Sequence, residues 1–66
     1  MSIGKTIRDL RKEKGLSQTE LANALYLSQD TISLWELDKS LPDAKNIICL
    51  CKIFNVSADY LLDIEK

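Results

Sequence analysis

Histidine is absent from this 66-residue sequence, and glycine, proline, cysteine and aromatic residues are all scarce. With no His and only two Cys, the chain lacks the residues of an ordinary four-ligand zinc site. Cys49 and Cys51 are two positions apart, so on a helix they diverge and cannot form a disulfide with each other. They are interpreted as small apolar fillers in a reducing compartment. Neither a metal ion nor a cofactor is expected.

Long hydrophobic runs are missing as well. No apolar stretch approaches the length of a membrane span, and the N-terminus lacks the apolar segment of a signal peptide. The sequence has no Gly-rich loop and no credible pair of catalytic carboxylates, so an enzyme is not expected. These absences predict a cytoplasmic protein with no membrane association and no small-molecule ligand.

What is present favours a small helical domain. Hydrophobic residues make up 45% of the chain, which is enough for a core, and the low Gly and Pro content favours helices. At this length, residues 1–66 are expected to form one domain. A first helix is predicted from a cap at Ser2 to about Lys14, and a last short helix from a cap at Ser57 to about Ile64. A fourth helix over 44–54 is predicted to bury Ala44, Ile47, Ile48, Cys51 and Phe54, with Leu50 and Ile53 off that stripe.

The central stretch, residues 17–36, predicts two short helices joined by a tight turn. Ser17 is followed three residues later by Glu20, which is the pattern of a capping box. Ser28 is a second cap, and after it Ile32 and Trp35 share an inward face. Asp30, Ser33, Leu34 and Leu37 point the opposite way. Two short helices with an outward-facing second helix indicate a helix-turn-helix, whose geometry suits a DNA major groove.

The net charge of −1 is a mild argument against nucleic acid, because phosphate contacts supply much of the affinity for DNA. The charges are unevenly distributed, however. Five cations fall within residues 1–14 against only two acids, Asp9 and Glu13. A nearly neutral total therefore includes a modestly basic end.

Three segments in order carry a family resemblance: LRKEKGLSQTELA (Leu10 to Ala22), LSQDTISLWE (Leu27 to Glu36), and LPD followed by NVSADYLL (Asn55 to Leu62). With these segments the chain resembles the phage-repressor-like (XRE) helix-turn-helix family. The resemblance implies an all-α fold, a compact five-helix lambda-repressor-like domain with a central helix-turn-helix. It also implies a sequence-specific DNA-binding transcriptional regulator, most simply a repressor, that reads double-stranded DNA with the third helix, about 28–37.

The resemblance assigns a phosphate-clamping role to Gln18 and places Gln29 where family members read base edges. A Gln side chain can pair bidentately with adenine N6 and N7. Asp30 either accepts a hydrogen bond from a cytosine amino group or simply favours the helix dipole. The full set of expected DNA-binding residues is Gln18, Ser28, Gln29, Asp30, Thr31, Ser33, Leu34, Lys39 and Asn46.

A structural salt bridge between Arg11 and Glu36 is also implied by the resemblance, and Trp35 is interpreted as a core residue. The sequence departs from the family where Tyr26 and Asp38 occupy turn positions that usually hold Gly. If the turn at Tyr26 keeps a positive φ, the cost is on the order of 1 kcal/mol or more.

Leu34 and Leu37 are further departures, because the family usually has polar or basic residues there. They could contact thymine methyl groups or belong to a protein interface. The alternative function is therefore a protein-interaction module that binds another regulator through these two leucines. For the DNA-binding function a homodimer is expected, with Ile53 and Ile64 as contacts between the protomers.

Overall fold

The structure, a computed structural model, describes residues 2–62, and these residues form five α-helices without a strand. The helices are α1 (Ile3–Glu13), α2 (Gln18–Leu25), α3 (Gln29–Glu36), α4 (Ala44–Phe54) and α5 (Ala58–Leu62). The predicted all-α fold is confirmed. Ile64 and the other residues after Leu62 lie outside the described residues.

Short-range hydrogen bonds explain where the helices begin. The Ser17 side chain accepts from the Glu20 N–H while the Glu20 carboxylate accepts from the Ser17 N–H, so the predicted capping box is present. Ser2, Ser28, Asp43 and Ser57 each accept a backbone N–H three residues later. Each of the five helices thus starts at a residue whose side chain satisfies one of its unpaired donors.

Residues with a positive φ lie at the C-terminal ends of α1 and α2. After α1, Gly15 has a φ of 74° and Leu16 N–H donates to the Arg11 carbonyl at 3.0 Å, as in a Schellman motif. After α2, Tyr26 has a φ of 60°, and Leu27 N–H donates to the Ala22 carbonyl at 2.9 Å. The turn of the helix-turn-helix therefore keeps the left-handed conformation although a tyrosine occupies it.

One apolar core joins all five helices. Its largest fully buried side chains are Ile7, Leu21, Ile32, Leu50 and Leu61, one from each helix. Trp35 is only 3% exposed, which confirms its interpretation as a core residue. Because Ile32 and Trp35 fix one face of α3 inward, the opposite face of that helix is held on the surface.

The predicted buried stripe of α4 was wrong at three positions, because Ala44 and Ile48 are exposed and Leu50, which was placed off the stripe, is buried. Leu50 is fully buried, whereas Ile48 is 57% exposed. These two residues lie about 160° apart around a helix, so only one of them can face the core. Almost every position from Ile47 to Phe54 is apolar. Periodicity alone therefore could not orient this helix, and the packing of α5 against it decides.

A close approach between α1 and the end of α3 fixes the position of α3. A Cβ added at Gly4 would overlap the Trp35 carbonyl oxygen and lie 2.9 Å from the Glu36 carbonyl oxygen. Asp38, with a φ of 59°, accepts a hydrogen bond from the Gly4 N–H at 3.1 Å. Gly4 is thus the residue that allows α1 to pack directly on the backbone at the end of α3.

Candidate nucleic-acid interface

The first turns of α2 and α3 are joined by their glutamines. Gln29 Nε2 donates to Gln18 Oε1, and Gln18 Nε2 donates to Glu36 Oε1 at 3.0 Å. An amide nitrogen carries two N–H groups, so each glutamine keeps one donor beyond these bonds. Gln29 also keeps its carbonyl oxygen as an acceptor. The structure therefore brings Gln18 and Gln29 together and holds Gln29 at the exposed beginning of α3.

Arg11 anchors this chain of hydrogen bonds. Its Nε lies 2.7 Å from Glu36 Oε2, and its Nη2 donates to Oε1 of the same carboxylate at 3.2 Å. Arg11 Nη1 also donates to the Leu16 carbonyl at 2.8 Å. The Arg11 and Glu36 side chains are only 11% and 5% exposed. This bidentate pair neutralises the acid closest to the glutamines and joins α1 to the end of α3.

The outward face of α3 carries no positive charge. Gln29 and Asp30 are exposed, Ser33 is half-buried, and Leu34 and Leu37 are 43% and 61% exposed. Ser28 accepts from the Thr31 N–H and also shares a hydrogen bond of 3.0 Å with the Thr31 hydroxyl. These two residues thus have a role in starting α3 whether or not they contact DNA. Positive side-chain charge for phosphate binding must therefore come from cations around α3.

Two such cations were not singled out from the sequence. Arg8 and Lys12 are exposed on α1 and are four residues apart, so they share one face of that helix. They line a groove of about 380 Å³ together with Arg11, Gln18, Ser33, Glu36 and Leu37. The excess of cations in residues 1–14 was visible in the sequence, but their position beside α3 depends on how the helices pack.

The remaining predicted residues lie elsewhere. Lys39 is exposed in the loop after α3, and its N–H donates to the Leu34 carbonyl at 2.9 Å. Asn46 is half-buried in the first turn of α4 and lines a different groove, of about 510 Å³, next to the turn between α2 and α3. Ile53 is half-buried and packs against the core. Within residues 2–62 no helix is both long and apolar enough to cross a bilayer.

The α2–turn–α3 unit and its supporting helices define a helix-turn-helix domain. A family model described as "Helix-turn-helix" matches residues 7–61, and the chain belongs to this family. The P22 c2 repressor, in a crystal structure in complex with synthetic operator 9T, superposes with a TM-score of 0.91 at 32% identity, covering 98% of each chain. A transcriptional regulator from Listeria innocua superposes with a TM-score of 0.92 at 25% identity, covering 98% of this chain and 61% of the other.

Related sequences include an activator as well as other regulators. The HTH-type transcriptional activator BcrR of Enterococcus faecalis is 38% identical over 66 residues, which are all of this chain and 32% of that protein. The HTH-type transcriptional regulator ImmR of Bacillus subtilis (strain 168) is 37% identical over 62 residues, covering 94% of this chain and 49% of that protein. The chain thus spans less than half the length of these two relatives.

Proposed function

We propose that this chain is a sequence-specific DNA-binding transcriptional regulator that inserts α3 into the major groove of double-stranded DNA. The observation that carries the proposal is the exposed Gln29 at the start of α3, held by Gln18 and through it by the buried Arg11–Glu36 pair. Further support comes from the superposition on a repressor in complex with an operator. Repression is the mode of action that this similarity favours. The cytoplasm is the compartment that fits this role and the two free cysteines.

Gln29 is proposed to read an adenine. The hydrogen bond to Gln18 uses one Nε2 hydrogen of Gln29 and leaves the second hydrogen and the carbonyl oxygen. Adenine offers the complementary pair in the major groove, N7 as an acceptor and the N6 amino group as a donor. The remaining Nε2 hydrogen of Gln18 is then available for a backbone phosphate. In this arrangement Gln18 contacts the DNA backbone and also orients the base-reading side chain.

Phosphate contacts are proposed for the cations beside α3, because α3 itself has none. Arg8 and Lys12 line the groove next to Ser33 and Leu37, and Lys39 is exposed in the loop that follows α3. Each cation that neutralises one phosphate makes the affinity fall more steeply with rising salt concentration, but it adds no base preference. Base reading and phosphate binding would thus be divided between α3 and its surroundings.

Binding as a homodimer on a two-fold site completes the proposal. One domain of this size offers few base contacts, and pairing two copies doubles them over successive major grooves. Ile53 remains the proposed contact on α4, where it flanks the core. The other proposed contact, Ile64, lies outside the described residues.

A protein-interaction module is the second candidate function. It is favoured by the exposure of Leu34 and Leu37, because two apolar side chains on one outward face are stabilised by burial in an interface. The partner would cover the same face of α3 that the first candidate places in the DNA groove. The two functions are therefore distinguished by whether DNA occupies that face.

Replacing Gln29 by Ala tests the base-reading role. We expect the variant to lose about 1–3 kcal/mol of binding free energy on its preferred duplex and to lose base preference at one position of the half-site. The measurement is the affinity for duplexes that differ at single positions, with Asn23→Ala as a control at another exposed amide. An equal loss of affinity on every duplex would contradict base reading by Gln29.

A further inference from the structure

Tyr26 has a conformation and an exposure that folding alone does not explain. It ends α2 with φ 60° and ψ 40°, a left-handed conformation that costs a non-glycine residue about 1–2 kcal/mol. Its side chain is 96% exposed, so packing within residues 2–62 does not offset that cost. The hydrogen bonds of the turn use the backbone of Tyr26 and would form equally well with Gly.

Tyr26 lies close to the base-reading end of α3, beside a groove that has apolar lining residues from the end of α2 and the turn, and polar ones from the start of α4. Tyr26 precedes Gln29 by three residues, which places their Cα atoms within about 11 Å of each other. With Lys45 and Asn46 from α4, Tyr26 lines the groove of about 510 Å³ beside the turn. Asp43 lines this groove too, but its carboxylate accepts the Asn46 N–H at 2.9 Å and thereby caps α4.

We propose that Tyr26, Lys45 and Asn46 form a contact site for the DNA backbone that flanks the bases read by Gln29. This inference rests on the proposed DNA-binding function. A tyrosine hydroxyl, an ammonium and a side-chain amide are all donors that proteins use on phosphate oxygens, and the Tyr26 ring can cover the adjoining deoxyribose. The site lies beside α3 rather than on its outward face, so it contributes affinity and register without reading bases. The exposed Lys45 lines the same groove as Tyr26 and supplies a cation there, which favours a phosphate over an apolar protein surface as the occupant.

The site implies opposite effects of one substitution on folding and on binding. Tyr26→Gly relieves the left-handed strain but removes the DNA contact, so stability should rise while affinity falls. Tyr26→Phe keeps the ring and the backbone preference and removes only the hydroxyl. Tyr60→Phe is a matched control, because Tyr60 is also exposed, at 58%, and lies on α5.

The experiment uses the full chain with two duplexes of equal length, one selected from random sequence by the wild type and one unrelated. Affinities are measured over a range of salt concentrations, and melting temperatures are measured alongside. We expect Tyr26→Phe to weaken binding to both duplexes alike, on the order of tenfold, at an unchanged melting temperature. Tyr26→Gly should weaken binding at least as much and melt a few degrees higher. Lys45→Ala should lower the salt slope by about 0.9.

Either of two patterns in affinity and melting temperature would overturn the contact while leaving the proposed function intact. One is wild-type affinity in both Tyr26 variants on a duplex where Gln29→Ala still loses base preference. The other is a Tyr26→Gly variant whose melting temperature and affinity fall together, because that pattern indicates a structural role. A change in the preferred base sequence of Tyr26→Phe would also overturn it as a backbone contact. If the wild type prefers no duplex, the proposed function and this contact are both wrong.

Discussion

Replacing Arg11 by Ala is expected to lower the free energy of unfolding by about 3–5 kcal/mol, which is a large part of the stability of a small domain. The substitution leaves the Glu36 carboxylate, whose side chain is 5% exposed, with the Gln18 amide but without its cation. A buried charge without its partner is destabilising because it has lost water as well as the opposite charge. Urea unfolding followed by circular dichroism gives the change directly.

The Lys5–Asp9 pair provides the control for Arg11. Its side chains are 62% and 46% exposed, so Lys5→Ala should cost well under 1 kcal/mol. The double substitution of Arg11 by Met and Glu36 by Leu should recover most of the lost stability, since it removes both charges and keeps most of the volume. If Arg11→Ala costs no more than Lys5→Ala, the pair does not hold α1 and α3 together.

Gly4→Ala should destabilise the domain by about 3 kcal/mol, although Gly to Ala within a helix ordinarily stabilises by roughly 0.5–1 kcal/mol. The added Cβ would overlap the Trp35 carbonyl oxygen and meet Asp38 Oδ1 at 2.7 Å. Backbone atoms cannot move aside as a flexible side chain can, so α1 must shift away from α3. That shift would also disturb the hydrogen bond from the Gly4 N–H to Asp38. The measurement is again equilibrium unfolding in urea.

Gly15→Ala is the matched control for Gly4. Gly15 has a φ of 74°, but nothing lies within 4 Å of an added Cβ, so only backbone strain of about 1 kcal/mol is expected. Gly4→Ala is thus predicted to lower the free energy of unfolding more than Gly15→Ala does. A Gly4→Ala variant as stable as the wild type would show that α1 does not pack on the backbone at the end of α3 as described.

Features that depend on a few neighbouring residues could be predicted from the sequence. The capping box of Ser17 and Glu20 and the caps at Ser2, Ser28 and Ser57 follow from local hydrogen bonding, and the structure confirms them. The inward face of α3 was also predicted. Ile32 and Trp35 lie three positions apart and so share one side of the helix, whereas Leu34 and Leu37 lie on the opposite side. Hydrophobic periodicity and capping residues are enough to predict the ends of such helices and the inward face of α3.

Features that depend on how helices meet could not be predicted. The orientation of α4 was ambiguous because the helix has apolar residues on all of its sides, and the structure buries Leu50 instead of Ile48. The close approach at Gly4 depends on where Trp35 and Asp38 lie, and both come more than thirty residues later in the chain. The hydrogen bond between Gln18 and Gln29 likewise depends on the angle between α2 and α3.

Selection of bound sequences from random duplex DNA, performed side by side with the wild type and Gln29→Ala, tests the central claim most directly. The account predicts that the wild type enriches two inverted half-sites with centres about 10–10.5 base pairs apart, or a multiple of that spacing. It also predicts that Gln29→Ala loses preference for an A·T pair at one position in each half-site. Absence of any enriched sequence with the wild type, at salt concentrations low enough for binding, would contradict DNA reading by α3.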